Sequence, residues 1–142
     1  MAGLRQASTV FKVATRGRGL HEITDRVAGW VGEAGFGEGL LTLFIRHTSA
    51  SLIIQENADP DVRRDLVAAF DRLAPEDHRL YAHQEEGPDD MPAHIKSTLS
   101  DVSLSIPLLG GRLALGTWQG IYVAEHRARP HTRQVVAHLI GE

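Results

Sequence analysis

The chain has 142 residues, a net charge of −3, and a composition that is 42% hydrophobic and 23% charged. Those figures suit one globular domain spanning 1–142. They supply no broad positive field for nucleic acid or an anionic membrane surface, and the lack of cysteine excludes disulfides, thiolate zinc sites and a cysteine nucleophile.

The first residues, MAGLRQASTV, have no apolar core of signal-peptide type. STVFKVAT (8–15) alternates as a strand does, and RGRG (16–19) breaks it. EITDRVAGWVGEAG (22–35) places Ile23, Val27, Trp30 and Val31 at helical spacing, with Gly35 near the end. GLLTLFIRHTSASLIIQE (39–56) holds two strand-like runs joined around RHTSAS. Its apolar part is too short to span a bilayer, so a cytoplasmic protein is expected.

A clear helix follows. Asp59 is placed to cap it, Pro60 sits at its first position, and Val62, Leu66, Ala69, Phe70 and Leu73 form one stripe expected in the core. MPAHIKSTL (91–99) predicts another helix with Met91, Ile95 and Leu99 on its apolar face. VSLSIPLLGGRLAL (102–115) predicts two strands turned by Gly110-Gly111, with Pro107 marking an edge or bulge. GIYVAEHR (120–127) and RQVVAHLIG (133–141) are further strands. Strands outnumber helices and short turns join most of them, which favours an α+β domain with a largely antiparallel sheet.

Three polar blocks could carry chemistry. In EGPDDMPAHIKSTLSD (86–101), Asp90 and His94 are four apart and can share a helix face. A structural reading has Asp89 or Asp90 capping that helix. A functional reading adds His83 and Glu86 from the same loop, a nitrogen and oxygen set suited to zinc or another divalent ion. In RHTSASLIIQENAD, a strand would turn His47, Ser49 and Ser51 to one side, either as a solvated face or as part of a site. Ser49 lacks the glycine-flanked elbow of a hydrolase nucleophile. In LGTWQGIYVAEHRARPHTR, Glu125 follows Ile121 and Val123 on one strand face. A carboxylate there needs an arginine or a cation as partner. Arg127, Arg129 and Arg133 add charge suited to phosphate or carboxylate.

Together HTSASLIIQENADPDVRRDL, EGPDDMPAHIKSTL and GRLALGTWQGIYVAEHR strongly resemble the YjbQ family, also called the secondary thiamine-phosphate synthase family. The likeness runs from about Phe11 to Glu142. The family often has a glycine-rich turn after the EHR strand. Here the chain reads RARPHTR, where Pro130 and His131 stiffen the turn and bear on any phosphate contact by its backbone amides.

The resemblance implies an α+β fold, a mainly antiparallel sheet or sandwich with two or three helices, assembled as a homotrimer. It implies joining of a hydroxymethylpyrimidine diphosphate to a thiazole phosphate with release of diphosphate, as a main or a secondary activity. It gathers His47, Ser49, Asn57, Asp90, His94, Trp118, Gln119, Glu125 and His126 around one pocket. In that pocket His47, His94 and His126 are expected to hold a divalent metal, Mg or Zn. Asp90, Glu125 and His126 are expected to act in catalysis, and Ser49, Asn57, Lys96, Trp118, Gln119 and Arg127 to bind a small phosphorylated or anionic substrate. The alternatives are a histidine-liganded metal hydrolase and a non-catalytic trimeric binding protein. No nucleic-acid or membrane partner is expected.

Overall fold

The computed structural model describes residues 3–142. In chain order it has β1 (Arg5–Ala14), β2 (Gly19–Glu22), α1 (Thr24–Ala34), β3 (Gly39–Ile45), β4 (Ala50–Glu56), α2 (Pro60–Leu73), a 3-10 turn (His78–Leu80), α3 (Asp90–Leu99), β5 (Ser103–Leu109), β6 (Arg112–Leu113), β7 (Gln119–Glu125) and β8 (Thr132–Gly141). The strands form two antiparallel sheets, ordered β1-β8-β3-β5-β6 and β2-β7-β4. This is the α+β, mainly antiparallel architecture expected, with three helices. No helix among the described residues is long and apolar enough to cross a membrane.

The period of two in each strand decides which side chains meet. Phe11 and Val13 of β1, Leu41, Leu43 and Ile45 of β3, and Val135, Ala137 and Leu139 of β8 turn inward together. Ala50 and Leu52 of β4 with Ile121 and Val123 of β7 face them from the smaller sheet, and Val27 and Val31 of α1 join the same core. Gly35, with φ of 72°, ends α1 in the left-handed conformation that glycine adopts at little cost. Gly110 and Gly111, with φ of 57° and 79°, make the tight turn between β5 and β6. Pro107 pairs with Leu40 on one side of β5, whose other side meets only the two-residue β6.

Two helices depart from expectation. Asp59 does cap α2, its carboxylate accepting from the Asp61 amide at 2.9 Å, and Pro60 opens the helix. The stripe itself is not core: no α2 residue is fully buried, and Leu73 is 68% exposed. The helix packs chiefly along the short edge strand β2, so its apolar stripe is covered on one side only. In α3 the buried face holds Asp90, Pro92, Ala93, Lys96 and Ser97, while Leu99 is exposed. Partners from distant segments make that polar face tolerable: Lys96 Nζ donates to Asp71 Oδ1 at 2.6 Å and Ser97 Oγ to the Ala50 carbonyl at 3.2 Å.

The RHTSAS segment is likewise different from a solvated strand face. β3 stops at Ile45 and β4 starts at Ala50, so His47 and Ser49 lie in the connection, and Ser49 and Ser51 are buried.

Candidate metal centre

The loop before α3 and the first turn of α3 bring three side chains to one point. Asp90 is 2% exposed, and its Oδ2 lies 2.7 Å from His83 Nε2 and 3.0 Å from His94 Nε2. One ligand atom from each of these residues falls within 4.8 Å of the others. The Asp90–His94 half follows from the i, i+4 spacing of a helix; His83 comes from the loop. His83, which the sequence reading attached to this loop but left out of its metal-ligand set, therefore completes the cluster.

Arg127 orients the carboxylate from the other side. Its Nη1 donates to Asp90 Oδ1 at 2.8 Å, its Nε to Asp89 Oδ2 at 3.0 Å and its Nη2 to the Glu86 carbonyl at 2.9 Å. The Ala128 amide also donates to Asp89 Oδ2, at 2.8 Å. Asp89 and Asp90 therefore do not cap α3 with their side chains; no side-chain cap bond is made there. Burial acts to raise the Asp90 pKa, but the bond from His83, the charges of His94 and Arg127 and the bond from His94 outweigh it, holding the carboxyl below its ordinary value. Asp90 is thus an anion at neutral pH.

The tautomer of His94 is dictated by its other nitrogen. Nδ1 lies 2.8 Å from the Thr48 carbonyl, which can only accept, so Nδ1 carries the proton. In the neutral ring Nε2 is then a bare lone pair, and it faces a carboxylate oxygen that also only accepts. That approach is favourable only with a proton or a cation between the two. A backbone carbonyl fixing the far nitrogen of a histidine is the usual support of a metal-ligating ring.

The other expected residues are distributed differently. Glu125 is 1% exposed and has an arginine as partner, as its position on an apolar strand face required. Arg133 Nε donates to its Oε1 at 2.8 Å and Arg133 Nη2 to its Oε2; Thr15 Oγ1 and the Arg127 amide donate at 2.7 and 3.1 Å. Burial acts to raise the Glu125 pKa, yet these donors hold it below the usual value. Ser49 Oγ accepts from Arg133 Nη2 at 3.0 Å, inside the same hub. His126 lies just past the end of β7, with Nε2 2.8 Å from Ser51 Oγ and its ring edge-on to Phe70. Burial, then the Lys96 charge, push its pKa down to about 4. His47 Nε2 accepts from the Gln134 amide at 2.8 Å.

Within one chain, then, His94 meets Asp90 and His83, whereas His47, His126 and Glu125 make separate contacts. Trp118, Gln119 and Asn57 cluster near the opposite end of β7. Trp118 O accepts from the Asn57 amide, and Gln119 pairs with Glu56 while Glu125 pairs with Ala50. Six residues of strand separate those ends by roughly 20 Å. Lys96 pairs with Asp71, and Arg127 with Asp89 and Asp90.

The YjbQ-like profile, described as UPF0047 protein YjbQ-like, matches residues 9–142. The chain belongs to this family. It is 53% identical over 141 residues to a UPF0047 protein of Synechocystis, covering 99% of this chain and 96% of the relative. It is 44% identical over 131 residues to YjbQ of Escherichia coli O157:H7, covering 92% and 94%. A YjbQ/UPF0047 protein of Clostridium acetobutylicum superposes with a TM-score of 0.79 at 35% identity, covering 94% of this chain and 98% of that one. A Sulfolobus solfataricus protein of unknown function, 22% identical and covering 99% and 100%, shares the fold with a TM-score of 0.89.

Proposed function

We propose that this YjbQ-like protein is a divalent-metal-dependent enzyme acting on a small phosphorylated molecule, with His83, Asp90 and His94 as the metal ligands. The observation that carries this reading is the Asp90 Oδ2 atom flanked by two imidazole nitrogens, one of them on a ring whose other nitrogen donates to the Thr48 carbonyl. The residues fit such an ion. Two nitrogens and one oxygen form a donor set suited to zinc, whereas magnesium prefers oxygen. A bound ion of this kind supplies positive charge to phosphate oxygens or acidifies a water.

The protein's own groups have distinct tasks. Thr48 holds the His94 ring in its tautomer, Arg127 fixes the Asp90 carboxylate, and the 32% exposed His94 and 40% exposed His83 side chains leave the cluster open to solvent. The reaction that the family resemblance implies forms a carbon–nitrogen bond between a thiazole and a pyrimidine methylene as diphosphate departs. A second reading, hydrolysis of a phosphorylated molecule, is favoured by the nitrogen-rich donor set, which suits a metal-activated water.

The test is a product assay with the pyrimidine diphosphate and thiazole phosphate. Thiamine phosphate should form, a chelator should abolish its formation, and Asp90→Asn should lower turnover by about a hundredfold or more while the fold persists. Free phosphate or diphosphate without coupled product would select the hydrolase. Unchanged turnover in Asp90→Asn would refute the assignment of this carboxylate.

We further propose a homotrimer. Val10, Leu40, Phe44 and Ile140 stand 37–46% exposed on the outer face of β1, β8 and β3, a surface that association would cover. Assembly would also be the means of bringing the Trp118 end of one chain to the metal cluster of another. Light scattering should give three chains per particle at micromolar concentration, and a monomer would reject the assembly.

A further inference from the structure

Beside the β3–β4 connection lies an open cleft of about 510 Å³, lined among others by Arg46, His47, Thr48, Ser49 and Arg133. That size suits a small molecule. Its polar wall contains a conflict that hydrogen-bond chemistry does not resolve within the chain.

His47 Nε2 accepts from the Gln134 amide at 2.8 Å, so Nε2 carries no proton and Nδ1 carries one. Arg133 Nη1 lies 3.4 Å from that Nδ1. Guanidinium nitrogens are donors only, so the two groups present N–H to N–H. Accepting at both ring nitrogens would demand an imidazolate. The longer contact is therefore not a hydrogen bond, and Arg133 Nη1 has no acceptor there. Arg133 is only 4% exposed, and its remaining donors are committed to Glu125 and Ser49. Burial, then the Arg133 charge, keep His47 neutral by lowering its pKa, in agreement with a single ring proton. Arg46 stands on the same wall, and its only side-chain bond among the described residues is from Nη1 to Gln134 Oε1, at 3.1 Å.

We propose that this cleft is an oxyanion subsite, in which a phosphate or carboxylate oxygen accepts jointly from Arg133 Nη1 and His47 Nδ1, with Arg46 adding charge at the mouth. An acceptor between the two donors turns their repulsion into two charge-assisted or polar hydrogen bonds. Glu125 cancels much of the Arg133 charge, so discrimination comes from donor direction, and Arg46 supplies the uncompensated charge. The cleft is linked to the metal cluster through Thr48. That residue lines the cleft while its carbonyl holds His94. The role of the subsite in seating a substrate rests on the proposed function; its binding of an oxyanion does not.

Calorimetric titration of the metal-free protein with inorganic phosphate, and separately with malonate, tests the proposal. Saturable binding of either anion in the presence of a chelator is expected; phosphate or malonate alone would name the preferred group. Arg46→Gln, an exposed change, and His47→Phe should each weaken that binding by about tenfold, whereas His83→Ala should leave it unchanged. Nitrogen NMR should find the His47 proton on Nδ1 and should see that signal shift when the anion is added. Binding of neither anion, unweakened affinity in both cleft variants, loss in His83→Ala, or a proton on Nε2 would each overturn the subsite. Because no metal is present, failure of the metal centre would leave these results untouched.

Discussion

Arg133→Met should destabilise the folded chain by about 3–5 kcal/mol, the typical cost of removing one partner from a buried ion pair. Glu125 would be left inside the sandwich without its arginine, its anionic charge met by the Thr15 hydroxyl and the Arg127 amide, with His131 Nδ1 3.6 Å away. Val13 pairs with Arg133 across β1 and β8, one pair in from the Ala14–Thr132 end of that ladder. The double change Arg133→Met with Glu125→Gln should recover part of the loss, because the unpaired charge goes with the carboxylate. Urea denaturation of the two single variants and the double variant provides the cycle. A loss below about 1 kcal/mol in Arg133→Met, or strict additivity of the two changes, would show that the pair is not coupled as the geometry requires.

Acid should weaken the fold in two stages. His126 is 3% exposed and its pKa lies at about 4, against an ordinary value of 6.5. A histidine held neutral by burial leaves the unfolded chain as the better proton binder. Its contribution is complete above the unfolded value and drains away as pH falls from about 6.5 to about 4, reaching on the order of 3 kcal/mol. His47 and His21, both shifted downward chiefly by burial, act in the same direction. Asp89, Asp90 and Glu125 have the opposite sign of charge. Held below their ordinary values, they stabilise above the usual carboxylate range and fail only as pH drops through their lower folded values. His126→Gln should keep a hydrogen-bonding partner for Ser51 and flatten the first stage. Denaturation midpoints that do not move between pH 7 and about 4.5, or an unaltered slope in His126→Gln, would contradict the assignment.

The strands, the Gly110-Gly111 turn, the Asp59 cap and the partner demanded by Glu125 were legible because each rests on neighbours in sequence or on one physical rule. The buried face of α3 was not. Asp90, Lys96 and Ser97 look like a solvent face until Arg127, Asp71 and the Ala50 carbonyl arrive from elsewhere in the chain. The His83–Asp90–His94 cluster was half legible. Asp90 and His94 sit four apart on a helix, and His83 lies in the adjoining loop, but nothing local ranks His83 above His47 or His126. That ranking depends on the Gln134 amide occupying His47 and Ser51 meeting His126, both contacts between residues far apart in sequence. The stripe of α2 misled for a related reason: periodicity identifies the apolar face of a helix but not how much protein covers it.

The central claim is that His83, Asp90 and His94 hold one divalent ion. Its most direct test is zinc titration against a competing chelating dye, using protein purified without a histidine tag. The account predicts one tight zinc per chain, with affinity falling as pH drops because protons compete for imidazole. It also predicts at least about a hundredfold loss in His83→Ala and in His94→Ala, with both variants still folded. A chain that takes up no stoichiometric zinc, or one that binds it equally well after either histidine is removed, would contradict the account.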